Sequence, residues 1–410
     1  MPANWRNRTL WTGDNLDIMR GMNSESVDLL YLDPPFNSNR DYAAPIGSEA
    51  AGAAFKDTWT LSDVDQAWHG EIADRAPALY AIIDAAGVAH GKGMKSYLIM
   101  MAVRLLEMKR LLKETGSIYL HCDPTASHYL KMLMDSIFGG GRFRNEIVWF
   151  YRRWPSKQKN FQRMHDIVLR YAKGDDVIWN QLFDPLSDET LKRIKGGKKI
   201  VTFHDEETGK KRIRATGEKS KGVPMRDVWE IKQIVGPSAE RVGYPTQKPL
   251  VLLDRIIRAS SNPGDMVLDP FCGCATALVA ADRLDREWAG IDLSPLAARL
   301  VLKRLRDDRG PLFDDVHHRE DVPARTDLGD LPNYRTHKHT LFGRQEGICA
   351  GCRVLFPFRN MTVDHVVPRA KGGQDNFDNL QLLCAACNSM KGARSQEEFV
   401  ARLKAEGIRT

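Results

Sequence analysis

Val27-Asp28-Leu29-Leu30-Tyr31-Leu32-Asp33-Pro34-Pro35-Phe36 is a mostly apolar run that stops on an acid, two prolines and an aromatic ring. Val27 to Leu32 reads as a buried strand. The four residues after it are not packing chemistry. Consecutive prolines remove two backbone donors and fix φ at about −65°. The second also pushes the first toward extended backbone. The product is a rigid shelf, with the Asp33 carboxylate on one side and the Phe36 ring on the other. Such a shelf suits a flat heterocycle with an exocyclic amine: the ring stacks, and oxygens accept its N–H groups.

Working outward, Arg8 to Pro124 alternates strand runs and helices, the sign of an α/β sheet. Met94 to Lys113 is amphipathic, with Leu98, Met101, Leu105, Met108 and Leu112 on one face. Gly116–His121, Asn145–Tyr151 and Asp166–Tyr171 are further strands. A second α/β stretch begins near Gln247. Its expected elements are a helix Leu250–Ser260, a strand Met266–Asp269, a helix Ala275–Leu284, a strand Trp288–Asp292 and a helix from Pro295 to Arg306. A polar insert lies between the two stretches. Lys192 to Lys221 holds eleven Lys or Arg against four Asp or Glu. Trp149, Tyr151, Trp154, Phe161, Trp179 and Trp229 bracket it. Cations with interleaved rings suit phosphate contact and base stacking. Asp307 to Lys338, rich in charge, Pro and Gly, reads as a linker. The histidines in and just past it, His317, His318, His337 and His339, read as solvated. Residues 43–92, Ala-rich with Trp59 and Trp68, carry no assigned role.

The 410 residues suggest two to three domains, and 42% apolar content is ample for a large core. No apolar run of about 18 residues exists, so no membrane partner is expected. The first residues, MPANWRNRTLW, lack the apolar stretch of a secretory leader, and a cytoplasmic location is expected. The net charge of +7 leans toward a polyanion. Seven cysteines in such a chain do not make a disulfide framework.

Leu268-Asp269-Pro270-Phe271-Cys272-Gly273-Cys274-Ala275-Thr276 joins a strand to a helix. Small residues there let a ligand approach the backbone, and a helix N-terminus favours polar ligand groups. Asp292 ends the next strand. An acid about 20 residues past a glycine turn commonly binds ribose hydroxyls.

The chain thus resembles the amino-methylating DNA methyltransferases of the beta arrangement. There a DPP[YF] block comes first, a target-recognition region comes next, and an FxGxG block comes last. The order here is the same: Asp33–Phe36, the basic insert, Phe271–Thr276. Thr12–Leu16, Asn145–Trp149, His165–Leu169 and Tyr244–Pro249 resemble the family's connecting blocks. The resemblance covers roughly residues 8 to 306. It departs at Ala275, where the family has its final glycine. It implies a circularly permuted Rossmann-like fold, S-adenosylmethionine as methyl donor and double-stranded DNA as partner, with a homodimer as the family's tendency. Asp33 and the Pro34 carbonyl would accept the amine's hydrogens on the shelf that Pro35 stiffens, and Phe36 would stack on the extruded base. Phe271, Gly273 and Thr276 would line the methyl donor, with Asp269 near its charged end. Asp292 would take its ribose and Asp14 its adenine end, with Lys248 beside the pocket. Asp at the first position of the block resembles adenine-N6 enzymes; cytosine-N4 enzymes, the alternative, more often carry Ser. No Pro-Cys pair exists for a cytosine-C5 reaction.

Near the end, Cys349-x-x-Cys352 and Cys384-x-x-Cys387 suit a structural zinc ion held by four thiolates. A module of about 70 residues needs such a staple. Between the pairs stand Val363–Arg369, Lys371-Gly372-Gly373 and Asp378–Gln381, with Asn388 after the last cysteine. This resembles the HNH, or ββα-metal, endonucleases over about residues 340 to 393. The resemblance implies His365 as general base and Asn379 as the residue orienting its loop. Asp364 and Asn388 would hold a divalent cation of the magnesium type. The alternative is a module that only grips DNA. The expected organisation is a methyltransferase over 1–306 with a target-recognition insert at 150–243, a linker at 307–338, and the HNH module at 339–410. The pairing suggests restriction–modification or defence against mobile elements.

Overall fold

The computed structural model describes residues 2–35, 40–43, 54–57, 72, 76–155, 157, 159–187, 189, 198–204, 211–235, 238–244, 246–327 and 334–408. In chain order the strands are β1 (Thr9–Thr12), β2 (Val27–Leu32), β3 (Arg40–Ala43), β4 (Ala54–Asp57), β5 (Leu112–Cys122), β6 (Phe143–Phe150), β7 (His165–Ala172), β8 (Phe183–Asp184) and β9 (Lys198–His204). They continue with β10 (Lys211–Lys219), β11 (Val223–Pro224), β12 (Val228–Glu230), β13 (Met266–Asp269), β14 (Glu287–Asp292), β15 (His317–Arg319), β16 (Met361–His365) and β17 (Leu380–Cys384).

Nine of them form one sheet in the order β12-β6-β7-β5-β2-β13-β14-β1-β15. β5, β2, β13, β14 and β1 run parallel, and β7 is antiparallel to both β5 and β6. β2 and β13 are far apart in sequence yet paired, Leu29 beside Val267 and Leu30 beside Leu268. From β13 the chain winds to one side of the sheet, from β2 to the other. The boundary between them is a topological switch point, where open α/β sheets bind ligands at the carboxyl ends of their strands. This is the expected permuted Rossmann-like sheet.

Every residue of β2 is buried, as a strand covered on both faces must be. Its side chains alternate between two cores. Leu30 and Leu32 join the helices Asn15–Gly21, Pro77–His90, Lys92–Leu111 and Ser127–Phe138. Leu29 and Tyr31 join Leu250–Ser260, Thr276–Arg283 and Leu296–Arg309. Leu98, Met101, Leu105 and Met108 are fully buried as their spacing predicts, each contributing about 1.5–3 kcal/mol. Leu112 leaves that helix and starts β5, four residues ahead of the expected strand.

Two boundaries differ from the sequence reading. β7 and β12 lie inside the expected insert, 150–243, yet belong to the main sheet. An antiparallel hairpin of β9 and β10 spans the cation-rich stretch, whose side chains lie outside the described residues. The linker reading of 307–338 also needs correction. β15 pairs in parallel with β1, placing His317, His318 and Arg319 opposite Thr9, Leu10 and Trp11. Residues 324–327 then dock on the segments that flank β1 and the first helix: Asn4 Nδ2 donates to the Ala324 carbonyl at 2.7 Å, and Ser24 N to Asp327 Oδ2 at 2.7 Å. Polar composition concealed this segment because its contacts are backbone pairings and hydrogen bonds, not apolar burial. His318 is exposed as expected, but His337 and His339 are half-buried; they pack on Phe377 and Phe358, the latter pair stacked at 4.2 Å.

The last residues build a core of their own around Leu341, Met361, Leu382 and Phe399. β16 and β17 pair antiparallel, with Asp364 opposite Gln381 and His365 opposite Leu380. The helix Ala385–Lys391 comes next, completing a ββα unit. No described helix is long and apolar enough to cross a membrane.

Candidate active site and metal centre

Asp33, Asp269 and Asp292 stand at the carboxyl ends of the adjacent strands β2, β13 and β14. The Asp33 carboxylate pairs with the Lys248 ammonium through Oδ2. Its other oxygen, Oδ1, is buried and accepts no hydrogen bond among the described residues. Phe36 lies outside the described residues, as do Trp59 and Trp68. Pro34 is buried and Pro35 half-buried.

The glycine turn closes on the same point. Asp292 Oδ2 accepts from Gly273 N at 2.8 Å, Asp292 Oδ1 from Ser294 N at 2.8 Å, and Asp269 Oδ1 from Phe271 N at 3.0 Å. Burial, then the neighbouring Asp33 and Asp292 charges, push the Asp269 carboxyl well up. Burial also raises Asp292. The buried Asp269 and the half-buried Asp33 and Asp292 meet at one strand end with Lys248 paired to Asp33 alone, which leaves the pocket short of positive charge. A cationic ligand such as a sulfonium compound fits that deficit. Gly273 has φ of +51°, and a Cβ there would stand 3.1 Å from the Tyr244 ring. Ala275 also sits in the left-handed region, φ +58°. The family's glycine is replaced here by a residue that carries about 1–2 kcal/mol of backbone strain.

Behind Asp33 lies a network the sequence reading missed. The fully buried His121 ring meets the Tyr31 hydroxyl through Nδ1 at 3.1 Å, and this nitrogen is 4.0 Å from Asp33 Oδ1. His121 Nε2 faces Asp166 Oδ2 at 3.4 Å, and Tyr151 donates to Asp166 Oδ1 at 2.9 Å. Burial works against the Asp166 charge, but bonding to His121 and Tyr151 holds its carboxyl below the usual range. Asp166 was visible only as part of a block; nothing in the sequence tied it to Asp33.

Two expected pocket residues spend their side chains elsewhere. Asp14 caps the helix Asn15–Gly21 through Leu16 N at 2.8 Å and pairs with Arg104 at 3.0 Å. It still enters at the same sheet end, because Thr12 is opposite Asp292. The Thr276 hydroxyl accepts from Arg304 Nη1 at 3.1 Å. Phe271 packs against the core on the β2 side.

In the C-terminal unit the sulfurs of Cys349, Cys352, Cys384 and Cys387 lie within 4.8 Å of one another. Four thiolates on a zinc ion stand about 3.8 Å apart, so the cluster fits that metal with little adjustment. Cys384 N points at Cys349 Sγ, 3.2 Å away, as amides around metal thiolates do. His365 Nε2 meets Asp375 Oδ1 at 2.8 Å. Asp375 is held at about 2, first by its bonds to Arg369 and then by His365. With Asp375 accepting, the proton sits on Nε2 and leaves the Nδ1 lone pair free of a proton. Asn379 clamps the His365 loop, accepting from Val367 N at 2.8 Å and donating to the carbonyls of Val367 and Gln374 at 3.0 and 2.9 Å. Both polar contacts of the Asp364 side chain fall on Oδ2, from Gln381 at 3.0 Å and Lys391 at 3.1 Å. Asn388 is half-buried on the helix after β17. The oxygen donors of Asp364 and Asn388 suit a hard divalent cation.

Lys391 is fully buried, and its ammonium also donates to the His365 carbonyl at 2.6 Å. Lys391→Met removes the cation from a buried pair, which costs about 3–5 kcal/mol. The expected result is an earlier urea midpoint for protease resistance of residues 339–408; an unchanged midpoint would refute it.

A sheet of this order, with a strand-end acid beside a glycine turn, defines a Rossmann-like nucleotide-binding fold. The model of the N6/N4 DNA methylases matches residues 27–303, and the chain belongs to that family. The HNH endonuclease model matches residues 349–394. Among curated relatives, Type II methyltransferase M.EcaI of Enterobacter cloacae is 29% identical over 363 residues, covering 76% of this chain and 72% of that protein. DNA adenine methyltransferase YhdJ of Escherichia coli K12 is 25% identical over 305 residues, covering 73% and 82%. A solved chain described as a DNA modification methylase, from Thermus thermophilus with S-adenosyl-L-methionine, is 18% identical, covers 76% of this chain and 98% of that one, and has a TM-score of 0.41.

Proposed function

We propose that this chain methylates N6 of adenine in double-stranded DNA, using S-adenosylmethionine, and that its HNH module cuts DNA with a divalent cation. The observation that carries the first part is Asp33 Oδ1, a buried acceptor beside the glycine turn with no donor among the described residues. When bound, the cofactor supplies an electrophilic methyl carbon on a sulfonium. Asp33 and the Pro34 carbonyl accept the two amino hydrogens, which localises the nitrogen lone pair. Lys248 holds the Asp33 carboxylate in place, so that the amine meets a fixed oxygen. Gly273, lacking a Cβ, leaves room for the methionine portion, lined by Phe271 and Thr276. Asp269 faces its charged end. Each Asp292 oxygen keeps a lone pair for a ribose hydroxyl beyond its backbone bond. Asp14, its carboxylate engaged by Leu16 N and Arg104, stands only at the sheet end where the adenine portion would lie.

Mass analysis of nucleosides from cells expressing the chain tests this reading. N6-methyladenine is expected; N4-methylcytosine would move the target to the other base, and neither would sink the reading.

In the nuclease, His365 Nδ1 takes the proton of the attacking water, Asp375 fixes its tautomer and Asn379 its loop. Asp364 and Asn388 would hold the cation, which would supply charge stabilisation for the leaving group. His365→Ala is expected to slow plasmid cleavage by about 10²–10⁴-fold with methyl transfer intact. A wild-type chain that never cuts would leave a module that only grips DNA. The fusion supports a restriction–modification or defence role. Cutting should then differ between premethylated and unmethylated plasmid; equal cutting removes the coupling.

A further inference from the structure

The connection between β6 and β7 carries a feature that the reaction at Asp33 leaves unused. Residues 151–165 hold five cations, Arg152, Arg153, Lys157, Lys159 and Arg163, and no acid. The two strands stay paired as far as the bond from Tyr151 N to the Met164 carbonyl, 2.9 Å, and then the chain leaves the sheet. Gln162 Nε2 donates to the Trp154 carbonyl at 2.7 Å, tying the two arms of the loop together. Trp154 on one arm and Phe161 on the other therefore flank that tie. Both rings are bare, 93% and 103% exposed, against 46% for Trp179. The foot of the loop is the pocket wall itself, since Tyr151 and Asp166 reach His121 behind Asp33.

We propose that Trp154 and Phe161 form the wedge that enters the base stack and fills the gap left by the nucleotide drawn toward Asp33. The proposal rests on the methyltransferase reading and names the residues that would open the duplex. Extruding a base breaks its pair and unstacks its neighbours. Apolar rings inserted between base steps replace part of that stacking, whatever the sequence. The exposed Lys157 and Lys159 suit the flanking phosphates. An acid-free loop on a chain of net charge +7 is poorly matched to a second copy of itself, which leaves a polyanion as the occupant.

The test uses the full chain and two duplexes that carry the site found modified in cells. In one the target base is paired; in the other it faces an abasic position, so no pair has to be broken. The double variant W154A/F161A is expected to methylate the paired duplex about tenfold more slowly or worse, from lost base stacking. On the abasic duplex it should recover to within about threefold of wild type, because the opening that the wedge performs is already done. Equal losses on both duplexes, or none on either, would overturn the wedge. A loss accompanied by a change in oligomeric mass would assign the rings to a second copy instead. A wild-type chain inactive on both duplexes would fail the methyltransferase reading and take the wedge with it.

Discussion

Asp33→Ala lowers methyl transfer by about 10³-fold, while DNA binding stays within a few-fold of wild type. Removing one preoriented partner of a reacting group typically costs about 10²–10³. Here a second effect adds to it. Lys248 is buried and paired with Asp33, so alanine leaves its ammonium without that countercharge beside the pocket proposed for a cationic cofactor. Asp33→Asn separates the two effects: it keeps an acceptor oxygen but removes the negative charge. It should fall between wild type and alanine. Single-turnover transfer of labelled methyl, with DNA binding measured in parallel, reads the result. An alanine variant that keeps more than about a tenth of the rate would show that Asp33 does not hold the amine.

Removing zinc unfolds the C-terminal module and spares the methyltransferase. The core of that module is small, and Cys349, Cys384 and Cys387 are themselves among its buried side chains. A single core of this size supplies about 3–5 kcal/mol, whereas a structural zinc site supplies about 10–16. Chelation, or Cys384→Ser, therefore takes away more than the apolar core can replace. Cys384 also caps the helix Ala385–Lys391, which carries Asn388, so the loss reaches the nuclease residues directly. The expected outcome is rapid proteolysis beyond residue 338 and loss of cleavage, with methyl transfer unchanged. A module that stays protease-resistant without metal would contradict it.

The sheet was legible where side chains face two cores. β2, β13 and the helix Leu250–Ser260 match the sequence reading because apolar periodicity and small strand-end residues mark them directly. The four cysteines and Asp33 were legible for a related reason: their chemistry needs fixed residue types at fixed spacing. The features that stayed hidden depend on long-range placement. His121 looks like an ordinary strand residue until β7 brings Asp166 beside it. Asp375 looks like a loop acid until the loop folds it onto His365. Asp14 and Thr276 show the reverse case: their blocks stand out in the sequence, but helix capping and Arg304 engage their side chains, which only the fold reveals. β15 was missed because three polar residues pairing through backbone leave no mark in composition.

That short edge strand also determines where the polypeptide can be divided. A protein ended at residue 306 would lose the outer partner of β1 along with the bonds to Asn4, Asn23 and Ser24. The unpaired rim of β1 would then be open to association with other chains. To study the modification half by itself, the cut belongs after Asp327. Residues 317–327 are thus not free to act as a tether, and the reach they could have given the nuclease from the methylation site is lost.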